Sequence, residues 1–140
     1  MNPDARLLLD TCAAIWFAGD LPMASEATDA LNSSFEVMAP VFLSPISAWE
    51  IGLLCSRGRM RFPIPPQSWF NRLRNTQGVA LAALSPEILI ASSFLPGNPP
   101  PDPADRIVAA TAREYGYLLV TRDRPLLEYA KQGHIQAIAC

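Results

Sequence analysis

Short apolar runs recur along the chain and predict buried β-strands. The clearest is YLLVT at residues 117–121, because aromatic and β-branched residues follow directly after Gly116. Another run, RLLLD at residues 6–10, ends in an aspartate. Strands are predicted at residues 6–10, 41–44, 79–84, 117–121 and 135–139.

Between these runs, apolar residues recur at the spacing of amphipathic helices. Two such segments open with Ser-Pro, at residues 44–45 and 85–86, which is typical of a helix start. Helices are predicted at residues 11–19, 24–36, 44–58, 67–75, 85–96, 103–116 and 124–133, with loops at 57–66 and 97–103. The alternation favours an α/β fold with a mainly parallel sheet, and the length of 140 residues favours one domain over residues 1–140.

Charge is distributed unevenly, although the net charge is only −2. No acidic residue lies between Glu50 and Glu87. The basic segment in this interval contains Arg57, Arg59, Arg61, Arg72 and Arg74. These arginines could follow the phosphates of a nucleic acid, form a solvated face, or meet an acidic partner chain.

The cysteines and the N-terminus favour a reduced, cytoplasmic setting. Cys12, Cys55 and Cys140 show no metal-binding spacing and cannot all pair with one another. Asp4 and Arg6 give the N-terminus charges that are not typical of a signal peptide. No apolar run approaches the ~18 residues of a membrane span, so no membrane association is expected.

Two aspartates follow predicted strands directly or closely. Asp10 ends the first strand, and Asp123 lies two residues after LLVT. Open α/β sheets bind ligands beyond the carboxyl ends of their strands, so both side chains are expected to point into one crevice if these strands are central. The simpler alternatives are a turn residue for Asp10 and a helix cap for Asp123.

Glu50 is predicted to lie on the inward face of its helix. It is four residues after Ile46 and four before Leu54, and Trp49 is placed on the same face, as core packing. A buried carboxylate needs a cation or another partner. The alternatives are partial exposure or pairing with an arginine such as Arg106.

The stretch PDPADR at residues 101–106 opens a helix with two aspartates. Asp102 is well placed as the N-cap, with Pro103 and Asp105 following in the first turn, and this alone needs no catalysis. The same arrangement aims Asp105 out of the helix N-terminus. Four converging carboxylates would repel one another, and Mg²⁺, which prefers oxygen ligands, would relieve the repulsion. Such a site can activate water for attack on a phosphodiester, with the Thr121 hydroxyl holding a metal-bound water.

Four segments in this order, LLLDTCAAIW, SPISAWEIGLL, DPADRIVAATA and YLLVTRD, resemble the PIN domain. The resemblance is specifically to the VapC type of bacterial toxin ribonucleases, from about residue 6 to residue 139. It implies a three-layer α/β/α sandwich with a mainly parallel central sheet. It also implies an acidic cluster that binds Mg²⁺ or Mn²⁺ and cleaves RNA. By motif match the metal ligands are Asp10, Glu50, Asp105 and Asp123, with Thr121 orienting water and Asp102 peripheral.

The resemblance further implies a homodimer and an antitoxin partner whose C-terminal segment crosses the acidic crevice. Two positions depart from the family pattern: Pro100 stands where many relatives have histidine, and Arg59 where a lysine is usual. His134 is the only histidine, and it is predicted to lie on the surface rather than to act as a base.

Three other functions compete with a toxin nuclease. The same fold could serve as a housekeeping nuclease in RNA processing or decay, or as an RNA-binding module without catalysis. A phosphoryl-transfer enzyme of the haloacid-dehalogenase type also begins with a strand-end aspartate. That class needs a second aspartate two residues later, where this chain has Cys12.

Overall fold

The fold is built on a five-stranded parallel sheet. The computed structural model describes residues 5–140, so Asp4 lies outside the described residues. The strands are β1 (Leu7–Leu9), β2 (Val41–Leu43), β3 (Val79–Leu81), β4 (Leu118–Thr121) and β5 (Gln136–Ala139). Their order across the sheet is β3-β2-β1-β4-β5, and every neighbouring pair is parallel.

Helices cover both faces of this sheet. They are α1 (Thr11–Ala18), α2 (Ser25–Glu36), α3 (Ile46–Ser56), α4 (Pro66–Arg74), α5 (Pro86–Ala91), α6 (Pro103–Tyr115) and α7 (Arg124–Lys131). Leu7 and Leu9 pack into one core with α1 to α4, whereas Leu8 packs into a second core with α6 and α7. Successive strand residues point to opposite faces, so a fully apolar strand fits a sheet covered on both sides. The predicted three-layer α/β/α architecture is confirmed.

Every predicted strand and helix is present, and most are shorter than predicted. The strand predicted at 79–84 ends at Leu81, and the helix predicted at 85–96 ends at Ala91. Side chains that directly precede a helix account for several helix starts. Asp10, Asp102 and Asp123 each accept a hydrogen bond from the backbone N–H three residues later, which caps α1, α6 and α7.

One prediction about the core is wrong. Trp49 is 55% exposed, because the buried face of α3 runs through Ser47 and Ile51. Trp16 is half-buried on α1, with the Arg122 guanidinium over its ring, and Trp69 stacks on Phe62. Helical spacing predicted a single inward face that included Trp49, whereas a small serine, rather than the tryptophan, faces the core.

The sheet topology creates a crevice beside β1. From β1 the chain adds β2 and β3 on one side, then places β4 on the other side of β1. Ligands bind at such a reversal in strand order, outside the carboxyl ends of the strands. Asp10 follows β1, and Asp123 follows β4, so both lie at this position. Within residues 5–140, no helix has the length and apolar character needed to cross a membrane.

Candidate active site

Four carboxylates surround one pocket at the carboxyl edge of the sheet. The pocket encloses about 330 Å³. Its lining comprises Asp10, Thr11, Cys12, Glu50, Asp105, Val108, Arg122 and Asp123. The structure therefore brings together the four acidic residues that the sequence singles out, from the ends of β1 and β4, the middle of α3 and the start of α6.

Asp10 is the most buried of the four, with 7% of its surface exposed. One carboxylate oxygen, Oδ1, accepts a hydrogen bond from the Ala13 backbone N–H at 2.8 Å, and Oδ2 accepts from the Thr121 hydroxyl. Burial raises the pKa of Asp10, the two hydrogen bonds lower it, and the nearby Asp123 carboxylate raises it further. Asp10 is thus held in one orientation at both of its oxygens.

Thr121 connects the two aspartates that follow the central strands. Its hydroxyl is fully buried, donates to Asp10 and accepts a hydrogen bond from the Asp123 backbone N–H at 2.9 Å. The Asp123 carboxylate accepts from the Leu126 N–H at 3.2 Å. The hydroxyl proton of Thr121 is directed to Asp10, so the role of Thr121 in orienting water stays a prediction.

Glu50 is held by the hydroxyl of Thr11, which is in turn hydrogen-bonded to Ser47, and the sequence singled out neither residue as part of the site. The Thr11 hydroxyl donates to Glu50 Oε1 at 2.5 Å, and Thr11 Oγ1 lies 2.8 Å from the hydroxyl of Ser47. Ser47 is fully buried, and Thr11 is nearly so. The signal for them was two polar residues on otherwise apolar helix faces, one of them adjacent to Asp10 and the other three residues before Glu50.

No positive charge offsets the repulsion that Glu50 receives from the neighbouring carboxylates among residues 5–140. Burial raises the pKa of Glu50, the Thr11 hydrogen bond lowers it, and Asp102, Asp10 and Asp123 raise it by repulsion. The alternative pairing with Arg106 is not observed, since that guanidinium Nε donates to the Pro100 carbonyl at 2.8 Å.

Asp102 and Asp105 have distinct positions. Asp102 is exposed and accepts a hydrogen bond from the Asp105 N–H at 2.9 Å, which confirms it as the N-cap of α6. Asp105 is half-buried and lines the pocket, and within residues 5–140 no hydrogen bond reaches its carboxylate. Burial, followed by repulsion from Asp123, Asp102, Glu50 and Asp10, raises the pKa of Asp105 to about 7. The PDPADR stretch therefore provides both a helix cap and a strongly perturbed acid.

Among residues 5–140, no basic side chain forms an ion pair with any of the four carboxylates. Across residues 5–140 the one ion pair within 4 Å joins Lys131 and Glu128, outside the pocket. Arg122 lines the pocket, but its guanidinium carbon lies 3.9 Å from the centroid of the Trp16 ring. Arg122 was not predicted as a pocket residue, and its position next to Asp123 is the one signal for it in the sequence.

The five arginines of the basic segment, residues 57 to 74, do not line this pocket. All five are exposed. Arg74 lines a different, apolar groove of about 430 Å³ between α3 and α4. His134 lies half-buried against the Tyr129 ring, with ring centroids 5.2 Å apart, and it is also outside the pocket.

The donor chemistry of the pocket fits a hard divalent cation, because carboxylate oxygens are its preferred protein ligands. In this structure the four carboxylates are spaced more widely than the ligands of a bound cation. Among the described residues, no three aspartate, glutamate, histidine or cysteine side chains are grouped closely enough to hold a metal ion. Binding would thus require carboxylate rotation, and Asp105 is the side chain without a restraining hydrogen bond.

Comparison with known proteins identifies the class. Residues 7–132 match the PIN domain family. Ribonuclease VapC22 of Mycobacterium tuberculosis is 32% identical over 120 residues, which cover 86% of this chain and 88% of the relative. The chain belongs to the PIN domain family.

Solved structures agree with this assignment at the level of the fold. DNA-bound VapBC from Salmonella typhimurium superposes with a TM-score of 0.64 at 16% identity, covering 96% of this chain and 98% of that chain. VapBC2 from Rickettsia felis, bound to a promoter DNA fragment, gives 0.62 at 13% identity, covering 95% and 97%. Within the PIN family, this chain is of the VapC type, and the resemblance drawn from its four sequence segments is confirmed.

Proposed function

We propose that this chain is a Mg²⁺- or Mn²⁺-dependent endoribonuclease that acts as the toxin of a toxin–antitoxin pair. The observation that carries the proposal is the set of four carboxylates around one pocket without a neutralising side chain among the described residues. Membership of the PIN family and the similarity to a protein named as a ribonuclease support it. A divalent cation is the simplest partner for such an acidic pocket.

Asp10, Glu50, Asp105 and Asp123 are the proposed metal ligands. A bound Mg²⁺ or Mn²⁺ would activate a water molecule and stabilise the leaving oxygen of an in-line phosphodiester attack. The chain contributes the arrangement of the ligands. Thr121 orients Asp10, and Thr11, backed by Ser47, orients Glu50. Hydrogen-bonded supports of this kind fix the direction in which a ligand presents its oxygens.

Asp105 has the additional property of titrating near neutral pH. Its raised pKa means that a proton occupies its carboxyl group at pH values below about 7 in the absence of a cation. Cation binding and deprotonation of this group are therefore coupled. Activity is expected to rise as the pH is increased through this range.

An antitoxin is the proposed protein partner. The solved structures that share this fold include VapBC from Salmonella typhimurium and VapBC2 from Rickettsia felis, which supports an antitoxin as partner. A partner segment carrying arginine or lysine over the pocket would neutralise its uncompensated charge. A homodimer is proposed from the family resemblance. The exposed arginines of the basic segment remain a prediction for RNA contact.

Incubation of the purified chain with total bacterial RNA tests the activity. We expect discrete cuts with Mg²⁺ or Mn²⁺ that are lost with a chelator and in Asp105→Asn. Asp29→Asn is the matched control, because Asp29 is exposed on α2 and lies outside the pocket. Cleavage by Asp105→Asn at the rate of the parent chain would contradict the proposed role of the cluster.

A further inference from the structure

A second concave surface adjoins the acidic pocket. It lies between α7 and β5, the strand at the edge of the sheet, and encloses about 640 Å³. We call it the basic groove, since it is lined by Arg122, Arg124 and Lys131 together with the apolar side chains of Leu127, Ala137 and Ala139. Arg122 lines both cavities, so the groove and the acidic pocket meet at this residue.

The charge of the basic groove is opposite to that of the pocket. Its one acidic lining residue, Glu128, pairs with Lys131 at 3.2 Å, and both side chains are more than half exposed. An exposed pair of this kind contributes little energy, so it can rearrange around a ligand. Neither Arg122 nor Arg124 forms an ion pair among residues 5–140. The basic groove thus presents unpaired arginines directly beside the unpaired carboxylates of the acidic pocket.

Arg122 is held at the junction by an aromatic ring rather than by a carboxylate. Its guanidinium lies 3.9 Å from the centroid of Trp16, a half-buried residue of α1. A cation–π contact restrains the guanidinium and leaves its N–H groups free to donate elsewhere. An arginine fixed in this way, beside four carboxylates and paired with none of them, is suited to an anionic ligand.

We propose that the basic groove binds the sugar–phosphate backbone of single-stranded RNA next to the bond held in the acidic pocket. The proposal rests on the proposed nuclease function and names where the flanking strand lies. Arginine donates in a fork that matches phosphate oxygens, and phosphate contacts supply most sequence-independent affinity. The apolar lining favours a single strand, whose sugar and base faces are open to contact, whereas a duplex keeps its bases stacked inside.

The basic groove places positive charge beside the acidic pocket, whereas the basic segment does not. None of the five arginines between residues 57 and 74 lines the acidic pocket, whereas Arg122 does. A strand that leaves the pocket past Arg122 meets Arg124 and Lys131 next. The path therefore runs along α7 toward the edge of the sheet.

Binding to a short, fluorescein-labelled single-stranded RNA of mixed sequence tests this path. All proteins carry Asp105→Asn so that the RNA stays intact, and affinity is measured by anisotropy over a series of salt concentrations. We expect Arg122→Gln, and the pair Arg124→Gln with Lys131→Gln, to weaken binding by about three- to tenfold per cation. The slope of log affinity against log salt should become shallower by about 0.7 for each phosphate whose cationic partner is removed.

Arg6→Gln is the matched control. Arg6 is exposed, and it precedes β1 at the amino edge of the sheet, opposite the pocket. Trp16→Leu keeps every charge but removes the aromatic ring that positions Arg122. A smaller decrease in affinity with an unchanged salt slope is therefore expected. Melting temperatures identify any variant that has lost its fold.

Unchanged affinity and salt slope in the groove variants would overturn the proposal, as would an equal decrease in affinity in Arg6→Gln. Weaker binding on changing Arg57 and Arg59 instead would place the strand on the basic segment and also overturn it. Cleavage assays on proteins that keep Asp105 distinguish failure of the groove assignment from failure of the proposed nuclease function. If the groove variants cleave with the kcat/KM of the parent chain, the groove assignment fails and the nuclease function stands. If the parent chain neither binds nor cleaves RNA, both fail.

Discussion

The two halves of the acidic pocket are built differently. On the Asp10 side, a buried carboxylate is hydrogen-bonded at both oxygens, and the threonine that holds it is itself bonded to the backbone of Asp123. On the Asp105 side, a half-buried carboxylate has no hydrogen bond within residues 5–140, and its pKa is raised to about 7. The Asp10 side is fixed before any ligand arrives, whereas Asp105 is kept from full ionisation by burial first and by the neighbouring carboxylates second.

This difference assigns different tasks to the two halves. Fixed dipoles and hydrogen bonds position a ligand without reorganisation during the reaction. A carboxylate that repels its neighbours gains most when a cation arrives. We therefore expect Asp10 to define where a cation sits and Asp105 to respond to its presence.

The largest effect is expected from neutralising either half. Asp10→Asn and Asp105→Asn should each reduce RNA cleavage by at least about 100-fold, because each removes a proposed ligand charge. Cleavage mapped on the same RNA, with Asp29→Asn alongside, measures the reduction. Retention of cleavage in one variant alone would show that its half of the pocket is dispensable.

Removal of a supporting hydroxyl should have a smaller effect on activity. Thr121→Val frees one oxygen of Asp10, and Thr11→Val frees Glu50 from its donor. We expect about 10- to 100-fold lower activity or cation affinity, as for other residues that orient metal ligands. Serine at either position keeps the hydroxyl and is expected to restore most of the activity. A valine variant that behaves like the parent would remove the case for a preorganised half.

The stability of the cation-free chain should depend on pH through the Asp105 side. The folded pKa of Asp105, about 7, is above the unfolded value of 3.8, so ionisation costs more in the folded state. Stability contributed by the protonated form is complete below about pH 4 and is lost as the pH rises through 7. Asp10 and Glu50 have pKa values raised in the same direction. Urea unfolding of the chain across this range should show the decline.

The Asp105→Asn variant tests whether this carboxyl group causes the decline in stability with pH. The variant should flatten the decline and unfold at a higher free energy than the parent at pH 8, by about 1 to 3 kcal/mol. Asp29→Asn should follow the parent profile. A parent chain whose stability rises between pH 5 and pH 8 in the absence of divalent cations would contradict the raised pKa.

The smallest effect is expected at the helix cap beside the pocket. Asp102→Ala removes the hydrogen bond to the Asp105 N–H and should cost about 1 kcal/mol of folding stability. Asp102→Asn keeps a capping oxygen and should recover most of it. Because Asp102 is exposed, we expect both variants to retain cleavage activity. Thermal unfolding and the RNA assay together check this separation of cap from cluster.

The secondary structure and the four carboxylates are predictable from the sequence because both leave local signals. Apolar runs marked the strands, and aspartates after two of them marked the crevice. The Thr11 and Ser47 support for Glu50 was not reached, because it depends on how α1 crosses α3. The cation–π contact between Arg122 and Trp16 likewise depends on the packing of the end of β4 against α1. The prediction for Trp49 is wrong because helical spacing alone does not show which side of α3 meets the core.

Direct titration of Mn²⁺ into the purified chain, followed by calorimetry at pH 7.5, tests the central claim that these carboxylates form one cation site. We expect saturable binding in the parent chain and in Asp29→Asn, and no binding in either Asp10→Asn or Asp105→Asn. Absence of binding in the parent chain, or equal binding in all four proteins, would contradict the claim.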